Sequence, residues 1–221
     1  MIENTYRHLA ALLLAVAFCL QVGCGALPQR NPLGERFPAV VGESLAGDVY
    51  QLPDDLLGEG PVLLLVGYRQ STQFDIDRWL FGLQDAQVPV PVFEVPTIRG
   101  MGPGLFARSI DQGMRTGIPR EMWGAVITVY GDAGRIATFT GTEVPGPARV
   151  LLLDATGRVS FYHDEGYSVD TLLRLKKAVM TLRGDVPQGE PVDALADDAA
   201  AFFVNPLRTP SMVDAFIDAG G

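Results

Sequence analysis

A strand pattern followed at once by a helix pattern constrains the fold of this chain more than any other feature. Residues 61–67 form a continuous apolar run between glycines, which is typical of a central parallel strand covered on both faces. Apolar residues then recur with the spacing of one helix face at Ile76, Trp79, Leu80 and Leu83. Ser71 or Thr72 can cap this helix, so the sequence predicts a strand, a short loop and a helix in succession.

The first 24 residues predict export and a lipid anchor. An apolar run at residues 9–20 follows Arg7 and ends before Gly23 and Cys24, which fits a signal peptide covering residues 1–23. The run is shorter than the ~20 apolar residues that a membrane-spanning helix needs. Residues 20–24 resemble a bacterial lipobox, in which the cysteine becomes the lipidated first residue of the mature protein.

The cysteine content agrees with lipidation. The chain has 2 cysteines, and because Cys19 lies inside the expected signal peptide, Cys24 is left as the only thiol and no intramolecular disulfide can form. An ordinary signal peptide with an incidental cysteine and a plain N-terminal anchor are the alternatives. Acyl chains on Cys24 would hold the protein on the periplasmic side of a bacterial envelope membrane. Ala26 resembles the outer-membrane sorting signal of Gram-negative lipoproteins.

Length and composition predict one folded unit with extensions. The chain has 221 residues, 48% of them hydrophobic, which is enough for one substantial core. We expect a lipid-proximal linker at residues 24–36, a domain at residues 37–183 and a partly flexible C-terminal extension at residues 184–221. The net charge of -9 argues against nucleic acid as a partner, because Lys and Arg supply most of the affinity for phosphate backbones.

The rest of the domain alternates strand and helix patterns. In chain order we predict a hairpin at 44–52 with its turn at Gly47-Asp48, an edge strand at 88–95, a helix at 103–114, a strand at 125–130, a short helix or irregular link at 135–140, a hairpin at 150–163 and a closing helix between Ser168 and Gly184. Two prolines in residues 88–95 favour either a sheet-edge position or a strand that starts only at Val90, because proline has no N–H to donate. Ser168 is the expected N-cap of the closing helix. A short helix is also predicted in the tail, near residues 194–204.

This order of elements resembles the thioredoxin-like superfamily. The resemblance implies an α/β fold, a thioredoxin-like three-layer sandwich whose central mixed sheet is flanked by helices, with an N-terminal hairpin and a C-terminal extension. Ser71 and Phe74 stand where the family carries its two active-site thiols, and Pro147 corresponds to the family's cis proline facing that site. Within the superfamily, the chain is similar to the mitochondrial ATP-synthase assembly factor family with a thioredoxin-like fold. The segments that carry this similarity are Phe37-Pro38, Leu52-Pro53, residues 74–79, residues 113–118 and residues 128–132.

Disulfide chemistry at this loop is excluded by the residues themselves. Thioredoxin-type exchange needs a low-pKa thiolate at a helix N-terminus and a second thiol that resolves the mixed disulfide. A serine hydroxyl is scarcely ionised near neutral pH and forms no disulfide, so Ser71 cannot take that role and is interpreted as a helix cap.

Other catalytic classes find no support in the residues. His163 is the only histidine after the expected signal peptide and lies beside two acidic residues in a predicted turn, which favours a solvated side chain over a catalytic base. One histidine and scattered carboxylates do not predict a metal site, and no phosphate-binding or dinucleotide-binding motif occurs. We therefore expect no cofactor and no catalytic residue.

A partner-binding groove around the loop is the remaining hypothesis. The resemblance places seven residues along the surface that thioredoxin-like proteins use to hold extended polypeptide: Tyr68, Arg69, Gln70, Ser71, Gln73, Pro147 and Arg149. We expect a membrane-anchored, redox-inactive lipoprotein that binds an unidentified protein partner and assists the assembly or folding of envelope proteins. The alternatives are a thioredoxin- or peroxiredoxin-like oxidoreductase with a non-standard site and a structural envelope protein whose groove holds no ligand.

Overall fold

The computed structural model of the protein describes residues 26–100 and 105–185. The predicted signal peptide, Cys24 and the tail helix near residues 194–204 lie outside the described residues. Within the two described ranges, no helix has the length and apolar character needed to cross a membrane.

A four-stranded mixed sheet forms the centre of the fold. Its strand order is β4-β3-β6-β7, with bounds β3 Val62–Gly67, β4 Val92–Pro96, β6 Arg149–Leu153 and β7 Val159–His163. Strand β3 pairs in parallel with β4 and antiparallel with β6, and β7 continues the antiparallel side. The apolar run at 61–67 thus forms an interior strand whose residues are all buried, as predicted, and the proline-containing strand β4 lies at an edge.

A smaller sheet carries the N-terminal hairpin. Strands β1 (Val40–Ser44) and β2 (Val49–Leu52) pair antiparallel, and β1 also pairs with β5 (Ile127–Thr128). The hairpin turn contains Gly47 at φ +101°, a backbone conformation that glycine adopts without steric cost. Isolated parallel bridges from Glu94 to Val126 and from Thr97 to Val129 join this sheet to the edge of the central one.

Helices cover both faces of the central sheet. The helices are α1 Gln73–Asp85, α2 Leu105–Gly117, α3 Ala133–Thr140 and α4 Val169–Arg183. One apolar core contains Trp79 of α1 and Leu175 of α4, together with Leu63 and Val150 of the sheet. A second core on the other face contains Ile136 of α3 with the hairpin residues and the alternate residues of β3 and β6. Because side chains alternate along a strand, β3 and β6 contribute to both cores, and the predicted three-layer thioredoxin-like fold is confirmed.

The segment before the hairpin packs along the domain, although the sequence predicted a linker there. Backbone hydrogen bonds join Leu27 to Thr142, Arg30 to Thr140, and Gly34 and Glu35 to Val159. Short-range periodicity carries no information about these partners, which lie more than 100 residues away. We use the name strap for residues 27–31, which cross the end of α3.

Two details at the strand–loop–helix passage differ from prediction. The cis peptide bond recorded in the described residues is Leu52-Pro53, so the prediction of a cis bond at Pro147 is wrong. Helix α1 begins at Gln73 after a 3₁₀ turn at Gln70–Thr72, and no side chain caps it. Ser168 by contrast caps α4 as predicted, with its hydroxyl accepting from the N–H of Thr171, and Gly184 ends that helix at φ +78°.

Candidate functional site

The turn between β3 and α1 exposes Arg69, Gln70 and Ser71 to solvent. Ser71 is not the cap that the sequence suggested, because the helix starts two residues later. Its neighbour Thr72 is buried, and the Thr72 hydroxyl donates a 3.2 Å hydrogen bond to the Pro145 carbonyl. This bond ties the turn to the segment that leads into β6.

Apolar side chains flank the exposed turn. The Phe74 ring, which occupies the position of the second thiol in the family pattern, is 75% exposed. Val144, in the loop held by Thr72, is 54% exposed. We use the name loop surface for five exposed residues and the half-buried Pro147 beside them: Arg69, Gln70, Ser71, Phe74, Val144 and Pro147.

The Asp75 carboxylate holds this region together. One of its oxygens accepts from the Ala148 N–H at 3.0 Å, and the other accepts from the Tyr167 N–H at 2.8 Å. Asp75 therefore connects the first turn of α1 to the entrance of β6 and to the loop before α4. A helix N-terminus also favours a negative charge. Two N–H groups outside regular structure are thus satisfied by one side chain.

Arg149 does not line an exposed groove, contrary to the prediction. The side chain is fully buried, its Nη1 donates to the Pro147 carbonyl at 2.8 Å, and its Nη2 donates to the Gly141 carbonyl at 3.2 Å. Nη2 also lies 3.4 Å from Gln29 Oε1 of the strap. Its Nε has no hydrogen-bond partner, and no carboxylate of the described ranges forms an ion pair with it. The strap residues could not be recognised as its cover from the sequence.

Tyr68 belongs to the same interior network. The Arg149 guanidinium lies over the Tyr68 ring, 5.3 Å from the ring centre, and the Tyr68 hydroxyl makes a 2.5 Å hydrogen bond with the Thr140 hydroxyl. Burial raises the pKa of Tyr68 to about 12, against the smaller opposing effects of the Thr140 hydrogen bond and the Arg149 charge. The phenol is therefore neutral at physiological pH and unsuited to act as a base there.

Tyr162 and Asp164 complete this network at the end of β7. The Tyr162 hydroxyl lies 3.3 Å from the Thr140 carbonyl and 3.1 Å from Asp164 Oδ2. Burial, followed by the negative charge of Asp164, raises the pKa of Tyr162. Asp164 also accepts a hydrogen bond from the Gln29 amide.

His163 is placed as a structural side chain. Its Nε2 is 2.7 Å from the Gly166 carbonyl, and its ring packs edge-on against Trp79 at 5.9 Å between ring centres. No serine hydroxyl of the described residues hydrogen-bonds to it. The arrangement lacks the nucleophile–base contact that covalent hydrolysis requires.

Gln73 also differs from its predicted role in the groove. Its amide donates to Asp77 Oδ1 at 2.9 Å and to Glu94 Oε2 at 3.3 Å, so it faces the edge of the central sheet. Glu94 is almost fully buried, and burial raises the pKa of its carboxyl despite the hydrogen bond from Gln73. Within the described ranges, no group of three or more His, Cys, Asp or Glu residues could hold a metal ion.

The predicted groove residues therefore separate into three groups. Arg69, Gln70, Ser71 and Pro147 share the loop surface, Tyr68 and Arg149 share a buried network, and Gln73 turns to another side of α1. Sequence reasoning missed Asp75, Gln29 and Asp164. No local pattern shows that Asp75 bonds to two distant loops, and nothing local connects Gln29 to Asp164, which lies 135 positions away.

Solved structures support the fold. The chain resembles a crystal structure of a candidate electron transfer protein from Aquifex aeolicus, with a TM-score of 0.51, 18% sequence identity, and coverage of 69% of this chain and 99% of that one. A candidate electron transport protein from the same organism gives a TM-score of 0.50 at 17% identity, over 69% of this chain and 99% of that one. The exposed lipoprotein thioredoxin of Streptococcus pneumoniae gives a TM-score of 0.45 at 13% identity, over 63% and 98% of the two chains.

At 17% and 18% identity, the similarity to the two Aquifex aeolicus structures supports the fold alone. No protein-family model matches the chain. No curated protein matches it either.

Proposed function

We propose that this chain is a lipid-anchored, redox-inactive thioredoxin-like protein that binds a protein partner through its loop surface and assists the assembly or folding of envelope proteins. One observation carries the proposal. Ser71 occupies the exposed turn before α1 where disulfide chemistry needs a thiolate, and the only cysteines of the chain, Cys19 and Cys24, precede the folded domain. The similarity of residues 74–79 and 113–118 to the ATP-synthase assembly factor family supports an assembly role.

The loop surface has features of a binding site. The loop surface contains an exposed aromatic ring, Phe74, and an exposed cation, Arg69, and aromatic residues and arginine are enriched at protein interfaces. Asp75 and Thr72 hold the surrounding backbone through hydrogen bonds. A surface that is already ordered loses less entropy when it binds, so this arrangement favours recognition.

The redox part of the proposal is tested by insulin reduction and peroxide consumption with the purified chain. We expect no turnover, because no protein thiol stands at the turn. The positive control for these assays is the double variant Ser71→Cys with Phe74→Cys, which places two thiols at the exposed turn of the same fold. Turnover by the unaltered chain, retained when Cys24 is changed to Ser, would contradict the proposal.

Partner binding is tested by a photo-crosslinking amino acid at Arg69 in cells, followed by identification of the captured chains. The matched position is Asp48 in the exposed hairpin turn, which should capture a different set or none. Phe74→Ser should abolish capture from position 69. Phe81→Ser should leave it intact, because Phe81 is 72% exposed on the same helix and outside the loop surface. Equal loss in both variants would contradict binding through the loop surface.

The lipid anchor is tested by incorporation of radiolabelled palmitate. Labelling should disappear in Cys24→Ser, and the protein should then leave the membrane fraction. Labelling that survives this substitution would refute the anchor and would leave the redox and crosslinking results unaffected.

A further inference from the structure

The strap lies on the end of α3 as an extended peptide. The Leu27 carbonyl accepts from the Thr142 N–H at 2.9 Å, while the Leu27 N–H donates to the Thr142 hydroxyl at 3.0 Å. Three residues further on, the Arg30 N–H donates to the Thr140 carbonyl at 3.3 Å. These contacts run in opposite chain directions, as in antiparallel pairing.

Gly141 allows the strap to approach this closely. A side-chain carbon at this position would lie 2.2 Å from the Pro28 carbonyl oxygen and 2.6 Å from the Gln29 Cα. Its φ of +76° also favours glycine. The backbone surface at residues 140–142 is therefore shaped for an extended chain.

The Gln29 side chain connects two opposite charges. Its Oε1 faces Nη2 of the buried Arg149 at 3.4 Å, and its Nε2 donates to Asp164 Oδ2. A primary amide offers both an acceptor for Arg149 and a donor for Asp164. A carboxylate in its place would be repelled by Asp164, and an ammonium group would be repelled by Arg149. The site thus favours a neutral amide side chain, as in glutamine, over a charged one.

Arg149 lacks the partners usual for a buried cation. The guanidinium is fully buried, its Nε is unpaired in the described structure, and its contacts are carbonyls, the Tyr68 ring and the strap amide. A buried charge is costly unless it is fully hydrogen-bonded. Removal of Gln29 takes one polar partner from the Arg149 guanidinium, so another amide that replaces this partner would be stabilised there. A pocket of about 660 Å³ adjoins Gln29 and Asp164, which leaves room for residues that flank a bound amide.

We propose that residues 140–142, Arg149 and Asp164 form a binding site for an extended peptide segment that carries a glutamine or asparagine side chain, and that the strap occupies this site in cis. A partner of this chemistry binds by displacing the strap, taking over the backbone pairing at Thr142 and the amide contacts with Arg149 and Asp164. The site goes beyond the proposed function, because the residues that would contact the bound peptide are not those of the loop surface.

The test uses the full chain with the strap weakened and the site unchanged, in the double variant Leu27→Gly with Gln29→Ala. The probe is a fluorescein-labelled hexapeptide with the sequence of residues 26–31, and the control peptide carries leucine in place of its glutamine. We expect the double variant to bind the probe about tenfold more tightly than the unaltered chain does, since one net hydrogen bond corresponds to roughly this factor. The control peptide should lose about the same factor.

Amide hydrogen exchange at Thr142 supplies a second measurement. The Thr142 N–H should be protected in the unaltered chain, exposed in the double variant and protected again by saturating probe. If circular dichroism shows that the double variant is unfolded, the test is repeated with Gln29→Leu alone, which alters one exposed side chain. Unchanged exchange in the strap variants, or equal affinity for both peptides, would overturn the proposal.

Two further outcomes distinguish this peptide site from strap exchange between two copies of the chain and from partner binding at the loop surface. Dimers of the double variant joined through exchanged straps would overturn it, since a second copy would then be the occupant. Phe74→Ser in the double variant should leave probe affinity unchanged, so that failure of partner capture at the loop surface and failure of this site are distinguished.

Discussion

Removal of the Asp75 carboxylate should cost more stability than removal of any comparable charge on α1. In Asp75→Ala, the N–H groups of Ala148 and Tyr167 both lose their acceptor. A hydrogen bond to a charged group contributes ~1.5–3 kcal/mol, and the low end applies because Asp75 is partly exposed and water can enter. With ~0.5 kcal/mol for the lost charge at the helix N-terminus, the expected loss is ~3.5 kcal/mol in the free energy of unfolding.

The measurement is urea unfolding followed by tryptophan fluorescence and circular dichroism, together with the melting temperature. A loss of ~3.5 kcal/mol corresponds to a fall of roughly 10 °C for a domain of this size. Asp75→Asn should lose about half as much, because its amide keeps one acceptor but turns a donor toward the second N–H.

Asp77→Ala is the control for Asp75. This variant removes a carboxylate from the next turn of α1, where Asp77 accepts a hydrogen bond from the Gln73 side chain, and we expect a change within ~0.5 kcal/mol. If Asp75→Ala is as stable as Asp77→Ala, the Asp75 carboxylate does not hold the two loops together and its assigned role is refuted. If Asp75→Asn unfolds like the unaltered chain, the second hydrogen bond contributes nothing.

Three further changes have clear expectations. Glu94→Gln should raise the free energy of unfolding at pH 7. Burial and then the nearby Asp77 charge raise the folded-state pKa of Glu94, so the stability that this carboxyl contributes is present below its unfolded-state pKa and is lost as the pH rises through its folded-state pKa. Urea titrations at several pH values should show that this pH dependence disappears in the variant. Gly82→Ala should lower the melting temperature, because the added carbon would lie 2.7 Å from the Tyr167 ring; a melting temperature at or above that of the unaltered chain would show that the ring moves freely. Ser168→Ala should cost ~1 kcal/mol in urea unfolding by removing the cap of α4, and Ser168→Asp should restore most of it; equal loss in both would count against a capping role.

Local patterns were enough to predict most elements of the fold. The apolar run at 61–67 forms an interior strand, and the apolar stripe through Ile76 and Trp79 lies in α1. Ser168 and Gly184 stand at the two ends of α4. These features depend on side-chain periodicity and on caps within a few residues, which are properties of the sequence itself. The short helix at residues 133–140 stayed undecided, because so few residues show no clear period.

The composition of the loop was also available without a structure. The absence of cysteines after Cys24 excludes disulfide exchange at Ser71 from the residue types alone. Its geometry was predicted less well. Ser71 lies in a 3₁₀ turn and does not cap α1, while Thr72 bonds to Pro145, 73 positions further along the chain.

The sequence by itself determined the order of elements, the interior strand and the missing thiols, because each depends on residue type and short-range spacing. Only the tertiary structure decided that Arg149 is buried, that Asp75 joins two distant loops and that the strap covers the end of α3. Except for the hydrogen bonds of Arg149 to Pro147 and Gly141, each of these contacts joins residues separated by at least 73 positions in the sequence. Such contacts form because the central sheet and its helices bring these segments together, and no local preference encodes them.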